Sequence, residues 1–216
     1  MNRSFETVIF DFDGTVADTF RGVKFCFLEA LHAFGYDEHD EAKLHSYLGP
    51  PLFNSFMLYC NDEETARQMV AKYREVYRAG AMLQCDLYDG IADVFAELDE
   101  AGIKLAIASS KPGEFVKRLL SYFGFEDSFA FVSAPVIGKP EPSKYDLITA
   151  AMSALGAESS ATAMVGDRRF DIEGAKQAGV FAVGVSYGFG TLDELESYGA
   201  DYICHTPKQI SELILR

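Results

Sequence analysis

The sequence predicts an α/β protein, a parallel sheet with helices on both faces, interrupted near its start by an all-helical insertion. Three observations carry this. Val8-Ile9-Phe10 is a short apolar run that ends in Asp11-Phe12-Asp13-Gly14-Thr15, as a buried strand stopping in a polar turn would. From Asp86 onward, apolar runs alternate with amphipathic helical stretches, the pattern of strands joined by crossover helices. Between Thr15 and about Cys85 the pattern is helical, with nothing strand-like in it.

In chain order, Val16 to Gly35 has apolar residues at helical spacing (Val23, Phe27, Leu31, Phe34), and Gly35 is a stop. A second helix starts after Pro50-Pro51. A third runs from about Asp62 to Gly80 with Ala66, Val70, Tyr73 and Tyr77 on one stripe, which packing alone accounts for. Then follow a helix over 90–101, a strand over Lys104–Ala108 and a helix to Gly124. Next come a short strand over Phe129–Ser133, a helix over Pro142–Leu155 and a strand over Thr162–Val165. Ile172–Ala178 reads as helix, Phe181–Val185 as strand, and Ala200–Ile203 as a last short strand. The α/β core is expected to comprise residues 1–16 and 86–216, and the helical segment residues 17–85.

Bulk properties narrow the function. The 216 residues suffice for one large α/β domain, or a core with a smaller companion. A net charge of −14 argues against a nucleic-acid duplex or an anionic membrane as partner, though not against a small anion met by a cation and a few lysines. No run approaches a membrane span and no signal-peptide pattern opens the chain, so a cytoplasmic protein is expected, and the composition leads to the expectation of a monomer or weak homodimer. Cys26, Cys60, Cys85 and Cys204 are scattered without a CxxC pair, which favours free thiols over a disulfide or zinc site.

In open parallel sheets, functional residues collect at the carboxyl ends of the strands. Asp11/Asp13, Ser109 and Asp167 all fall at such ends and should converge. A calcium loop is excluded for Asp11–Asp13, because Val16 and Gly22 stand where such a loop needs Gly and Glu. Asp11, Asp13 and Asp167 together suit a hard cation with oxygen ligands, Mg²⁺ best of all. A cation beside Asp11 keeps it ionised and nucleophilic, while Asp13 is near enough to donate a proton to a leaving oxygen and then take one from water. With Ser109 bonding a phosphoryl oxygen and a lysine adding positive charge, the set describes phosphoryl transfer through an aspartyl-phosphate.

These residues resemble the haloacid dehalogenase superfamily. Its phosphatases carry DxDGT after the first strand, as in Asp11-Phe12-Asp13-Gly14-Thr15, and a Thr or Ser at the end of the second motif strand, here Ser109. A lysine follows, and then GDxxxD, matched by Gly166-Asp167-Arg168-Arg169-Phe170-Asp171. The resemblance spans essentially the whole chain in the right order. It implies a Rossmann-like core and makes the helical insertion a mobile cap. It also implies Asp11 as nucleophile, Asp13 as general acid/base, and Mg²⁺ held by the Asp11 side chain, the Asp13 carbonyl and Asp167, with Asp171 bracing the site. Gly14, Thr15 and Ser110 complete the implied phosphate-binding set. Two residues compete for the motif lysine: Lys139, in a KPxP stretch, and Lys144, whose spacing matches a nucleotidase-like branch and which is preferred. Lys111 reads as decoration on the approach to a helix.

The resemblance implies a phosphomonoesterase on a small phosphorylated metabolite, a 5′-nucleotide or 2-phosphoglycolate leading. Tyr187-Gly188-Phe189-Gly190 looks like the nucleotidase branch, whereas the cap layout looks equally like phosphoglycolate phosphatases. Leu48-Gly49-Pro50-Pro51-Leu52 would either bring a cap loop over the substrate or merely break one helix and start the next. Gly188-x-Gly190 is set aside as a dinucleotide loop, since position 193 is Asp and no strand–helix unit is read around it. A phosphomutase or pyrophosphatase of the same superfamily is the alternative within the class. Outside it stand a phospho-accepting signalling module and a non-catalytic binding protein.

Overall fold

The structure, a computed structural model, describes residues 4–47 and 51–216. Most of the Leu48–Leu52 loop therefore lies outside the described residues. The chain divides into two compact units. One holds the chain up to Asp18 and from Leu87 on; the other is Thr19–Asp86.

The first unit is built on β1 (Thr7–Phe10), which leads directly to Asp11. After the short β2 (Ala17–Asp18) the chain enters the second unit, which holds α1 (Phe20–Ala33), α2 (Glu41–Ser46), α3 (Leu52–Cys60) and α4 (Glu63–Arg78). In that unit α4 packs on α1 and α3, with Ala66, Met69, Val70, Tyr73 and Tyr77 buried, as its stripe predicts. Phe27 stacks on Phe56 with ring centroids 4.5 Å apart.

The chain returns through β3 (Asp86–Leu87), which pairs with β2. It continues through α5 (Ile91–Glu100), β4 (Lys104–Ala108), α6 (Gly113–Phe123), β5 (Phe131–Ser133) and α7 (Lys144–Leu155). The remaining elements are β6 (Thr162–Gly166), α8 (Arg169–Ala178), β7 (Phe181–Val185), α9 (Leu192–Ser197), β8 (Tyr202–Cys204) and α10 (Lys208–Ile214). Six strands form one sheet in the order β5-β4-β1-β6-β7-β8, every pairing parallel.

Because successive side chains of a strand point to opposite faces, Ile9 and Phe10 begin two separate cores. Ile9 joins Ala106, Met164 and Ala182 beneath Leu147, Ile148, Ile172 and Ala175 of α7 and α8. Phe10 meets Phe95 of α5 edge-on at 5.3 Å, and Phe95 in turn contacts Phe125 and Phe129. Helices thus cover both faces of a continuous parallel sheet, and the strands need not alternate apolar with polar residues.

Several element expectations are corrected. Ala17–Asp18 is extended, so the segment between Thr15 and Cys85 is not purely helical; two residues are too few for a period to show. The strand expected at Phe129 starts at Phe131, because Phe129 turns its ring into the core against Phe10 and Phe95. Helix α7 begins at Lys144, with Ser143 and Asp146 forming a capping box. Residues 186–191, read as unframed, connect a strand to a helix, α9, whose six residues were too short to read. Among the described residues, no helix is long and apolar enough to cross a membrane.

Truncating Phe95 removes one ring from three aromatic contacts at once. Phe95→Ala is expected to cost about 3–5 kcal/mol of stability, read from urea unfolding.

Candidate active site

The site is assembled where β1, β4 and β6 end. Phe10 lies opposite Ile107 on one side and Val165 on the other, so the three strands finish nearly level. The Asp11 N–H still donates to Val165 O at 2.8 Å, continuing the ladder by one residue. The chain then turns back on itself: the N–H groups of Val16 and Ala17 donate to Phe12 O at 3.0 and 3.1 Å, and the Gly14 N–H to Ala17 O at 2.9 Å. Phe12, between the two aspartates, is fully buried, and Asp11 is buried as well. Gly14 has φ +80°, and a Cβ there would lie 2.2 Å from Asp167 Oδ2. Both backbone conformation and space demand glycine at this position.

Lys144, the first residue of α7, reaches back under the end of β4. Its ammonium donates to Ala108 O at 3.0 Å and lies 3.0 Å from Asp11 Oδ1 and 2.7 Å from Asp171 Oδ1. Asp171 stands in the first turn of α8, where its other oxygen accepts from the Arg168 N–H at 3.0 Å. Asp167 is fully buried; its Oδ2 accepts from the Phe189 N–H at 2.8 Å, and the Thr15 hydroxyl lies 3.4 Å from its Oδ1. Ser109 is buried at the end of β4, its N–H bonded to Ser133 O and its hydroxyl accepting from the Lys111 N–H at 3.3 Å.

The expected residues separate clearly. Asp11, Asp167, Asp171 and Lys144 come together in one cluster, and Ser109 ends the neighbouring strand. Lys139 is exposed in the turn after β5, and Ser110 is exposed as well. Thr15 turns its hydroxyl to Asp167. The reading of Lys111 as decoration is corrected: its side chain is buried and its ammonium lies 2.9 Å from Asp13 Oδ2. Sequence reasoning undervalued it because the Asp13–Lys111 pairing joins residues from two strand ends. The only local signal was a lysine two positions beyond Ser109.

Burial dominates the electrostatics. It pushes the Asp167 carboxyl well above the usual range, and the neighbouring charges of Asp171 and Asp11 add to it, against the Phe189 N–H and Arg168. Asp171 is pushed up to about 6, by burial first, with Lys144 opposing and Asp11 adding. Burial disfavours the Lys144 charge, but Asp11 and Asp171 outweigh it and hold the ammonium above its ordinary pKa. Asp11, Asp167 and Asp171 each present an oxygen within 4.8 Å of the others. Asp11 Oδ1 and Asp171 Oδ1 lie at ion-pair distance from Lys144 without an aligned hydrogen bond. Converging, under-bonded carboxylate oxygens fit a hard divalent cation.

Known proteins resemble this chain along most of its length. The family model of haloacid dehalogenase-like hydrolases matches residues 8–185. The 5′-nucleotidase of Pseudomonas aeruginosa is 34% identical over 201 residues, 93% of this chain and 91% of that protein. The tyrosine-protein kinase PtkA of Mycobacterium tuberculosis is 31% identical over 200 residues, 93% of this chain and 68% of that one. The crystal structure of a predicted phosphatase from Clostridium acetobutylicum matches with a TM-score of 0.92 at 35% identity, covering 98% of this chain and 99% of that one. The chain belongs to the haloacid dehalogenase-like hydrolases. Within that family it is a phosphatase.

Removing a carboxylate and removing the lysine should act in opposite directions. In chelator, the raised carboxyls of Asp167 and Asp171 bind protons in the fold that the unfolded chain has already lost. The cluster's contribution to stability is therefore full below the ordinary carboxylate range and falls as the pH rises above about 4 and through about 6, where Asp171 titrates, with Asp167 acting in the same direction. Asp167→Asn should raise the urea midpoint at pH 7 and leave little difference at pH 4, and added divalent cation should stabilise the parent but not the variant. Lys144→Met strands Asp11 and Asp171 and should cost about 3–5 kcal/mol in the same unfolding measurement.

Proposed function

We propose that this phosphatase is a Mg²⁺-dependent phosphomonoesterase that works through an aspartyl-phosphate on a small phosphorylated metabolite, with 5′-nucleotides as the leading substrate class. The observation that carries the chemistry is Asp11: a carboxylate at the end of the central strand, ion-paired to Lys144 and followed two residues later by Asp13. The likeness to the 5′-nucleotidase along nearly the whole of both chains supports the substrate class.

Asp11 attacks the phosphorus and the ester P–O bond breaks, with Asp13 delivering a proton to the departing alkoxide. A water then attacks the phosphorus of the Asp11 acyl phosphate. Its proton passes to Asp13, the bond from phosphorus to Asp11 breaks, and inorganic phosphate leaves with the free carboxylate restored. Bound by Asp11, the Asp13 carbonyl and Asp167, with Asp171 bracing, Mg²⁺ would supply positive charge to the phosphoryl oxygens. Lys144 holds Asp11 and Asp171 in place, and the Ser109 hydroxyl donates to a phosphoryl oxygen. Lys111 orients Asp13 between its two proton transfers. The chain leaves the α/β unit at Asp18, a few residues after Asp13, and the inserted helical segment Thr19–Asp86 is the cap of this reading.

Phosphate release is measured with Mg²⁺ and with EDTA on 5′-nucleotides, 2-phosphoglycolate, sugar phosphates and pyrophosphate. Metal-dependent release with the highest kcat/KM on a 5′-nucleotide is expected, and a preference for another ester would move the substrate class. Asp11→Asn should fold and lose turnover by roughly a thousandfold or more. Turnover near the parent's in that variant would refute the mechanism.

A further inference from the structure

The loop between β7 and α9 takes no part in the chemistry above, yet it touches Asp167 more closely than any catalytic step requires. The Phe189 N–H donates to Asp167 Oδ2 at 2.8 Å. A Cβ on Gly188 would lie 2.4 Å from Asp167 Cβ and 2.2 Å from Gly14 O, and one on Gly190 would lie 1.9 Å from Asp167 O. The Tyr187 hydroxyl donates to Thr15 O at 3.1 Å, while its ring packs on Tyr88 with centroids 4.7 Å apart. Backbone therefore lies directly on Asp167 and on the turn after β1, at distances no side chain would permit.

Both ends of the loop are pinned. At one end the Ser186 N–H donates to Cys204 O at 3.0 Å, tying the loop to β8. At the other the Thr191 hydroxyl caps α9 by accepting from the Glu194 N–H. Glu194 then accepts from Arg168 Nε at 3.1 Å and from the Arg169 N–H at 2.8 Å, the two residues that follow Asp167. One loop with its helix thus holds the Asp167 carboxylate, its carbonyl side and the backbone beyond it. A carboxylate gripped at Oδ2 by a fixed amide has a single orientation in which to offer its other oxygen.

We propose that the Tyr187–Gly190 loop is a positioning clamp for the cation site: it fixes Asp167 in the orientation that lets it share a divalent cation with Asp11, and its two glycines exist to let the backbone close on Asp167. The inference rests on the Mg²⁺ reading given above. It assigns a positioning role to Gly188, Phe189 and Gly190 and an anchoring role to the Tyr187 hydroxyl. Partners that orient metal ligands typically change affinity by about 10–100-fold when they are lost.

The test is Mg²⁺ titration by calorimetry of the full, metal-stripped chain, with urea midpoints measured in parallel in chelator. The parent should bind Mg²⁺, Gly190→Ala about tenfold or more weakly, and Tyr187→Phe more weakly by a smaller factor. A folded Gly190→Ala with the parent's Kd overturns the clamp, even if its urea midpoint falls, because that result marks a purely structural glycine. Should Gly190→Ala fail to fold, Tyr187→Phe decides, and an unchanged Kd there overturns the clamp. A parent that takes up no Mg²⁺ refutes the metal reading itself, an outcome distinct from failure of the clamp.

Discussion

Lys144 is the contact on which the site depends. One ammonium lies 3.0 Å from Asp11 and 2.7 Å from Asp171, in a place where all three groups are buried. Separately, each of these charges would be costly to remove from water; together with the Ala108 carbonyl they satisfy one another in part. Asp167 adds a further carboxylate that this lysine does not touch. The cluster is left richer in negative charge than its own cation can balance, which suits it to a divalent ion and to a phosphate brought in with it.

The second constraint is space. Gly14 and Gly188 meet across Asp167, and at each of them a single methyl group would collide with that residue. Gly166 ends β6 against the Asp171 carboxyl, where a Cβ would lie 2.2 Å from its Cγ. Carboxylates that repel one another are thus held together by backbone packed too tightly for them to swing apart. Covering the sheet on both faces with helices makes that rigidity possible, since Ile9 and Phe10, the last apolar pair before Asp11, are each locked in a separate core.

The helical unit builds its own core around Phe27, Phe56 and the buried stripe of α4. The chemistry of the α/β unit does not by itself choose a substrate. A nucleotidase and a tyrosine-protein kinase are both about a third identical to this chain over most of its length, so phosphoryl chemistry is shared more widely than its targets.

Much of this was determined by the sequence alone. Short apolar runs ending in Asp or Ser marked β1, β4 and β6, because a strand buried on both faces is apolar along its length and its polar end is conspicuous. The DxDGT and GDxxxD stretches marked three of the clustered carboxylates, since each is a local pattern at a strand end. The tertiary structure set Lys144, already preferred from its spacing, against Asp11 and Asp171 while leaving Lys139 exposed, brought Lys111 onto Asp13, and laid the Tyr187–Gly190 loop on Asp167. Those contacts join residues 22 to 133 positions apart in the chain, at separations where local periodicity carries no information. Short helices such as α2 and α9 were missed for a related reason: six residues do not complete two turns, and their caps rather than their periods hold them. Local backbone preference wrote the strands and their polar ends into the sequence, while the partner each charge would find was set by the packing of distant segments.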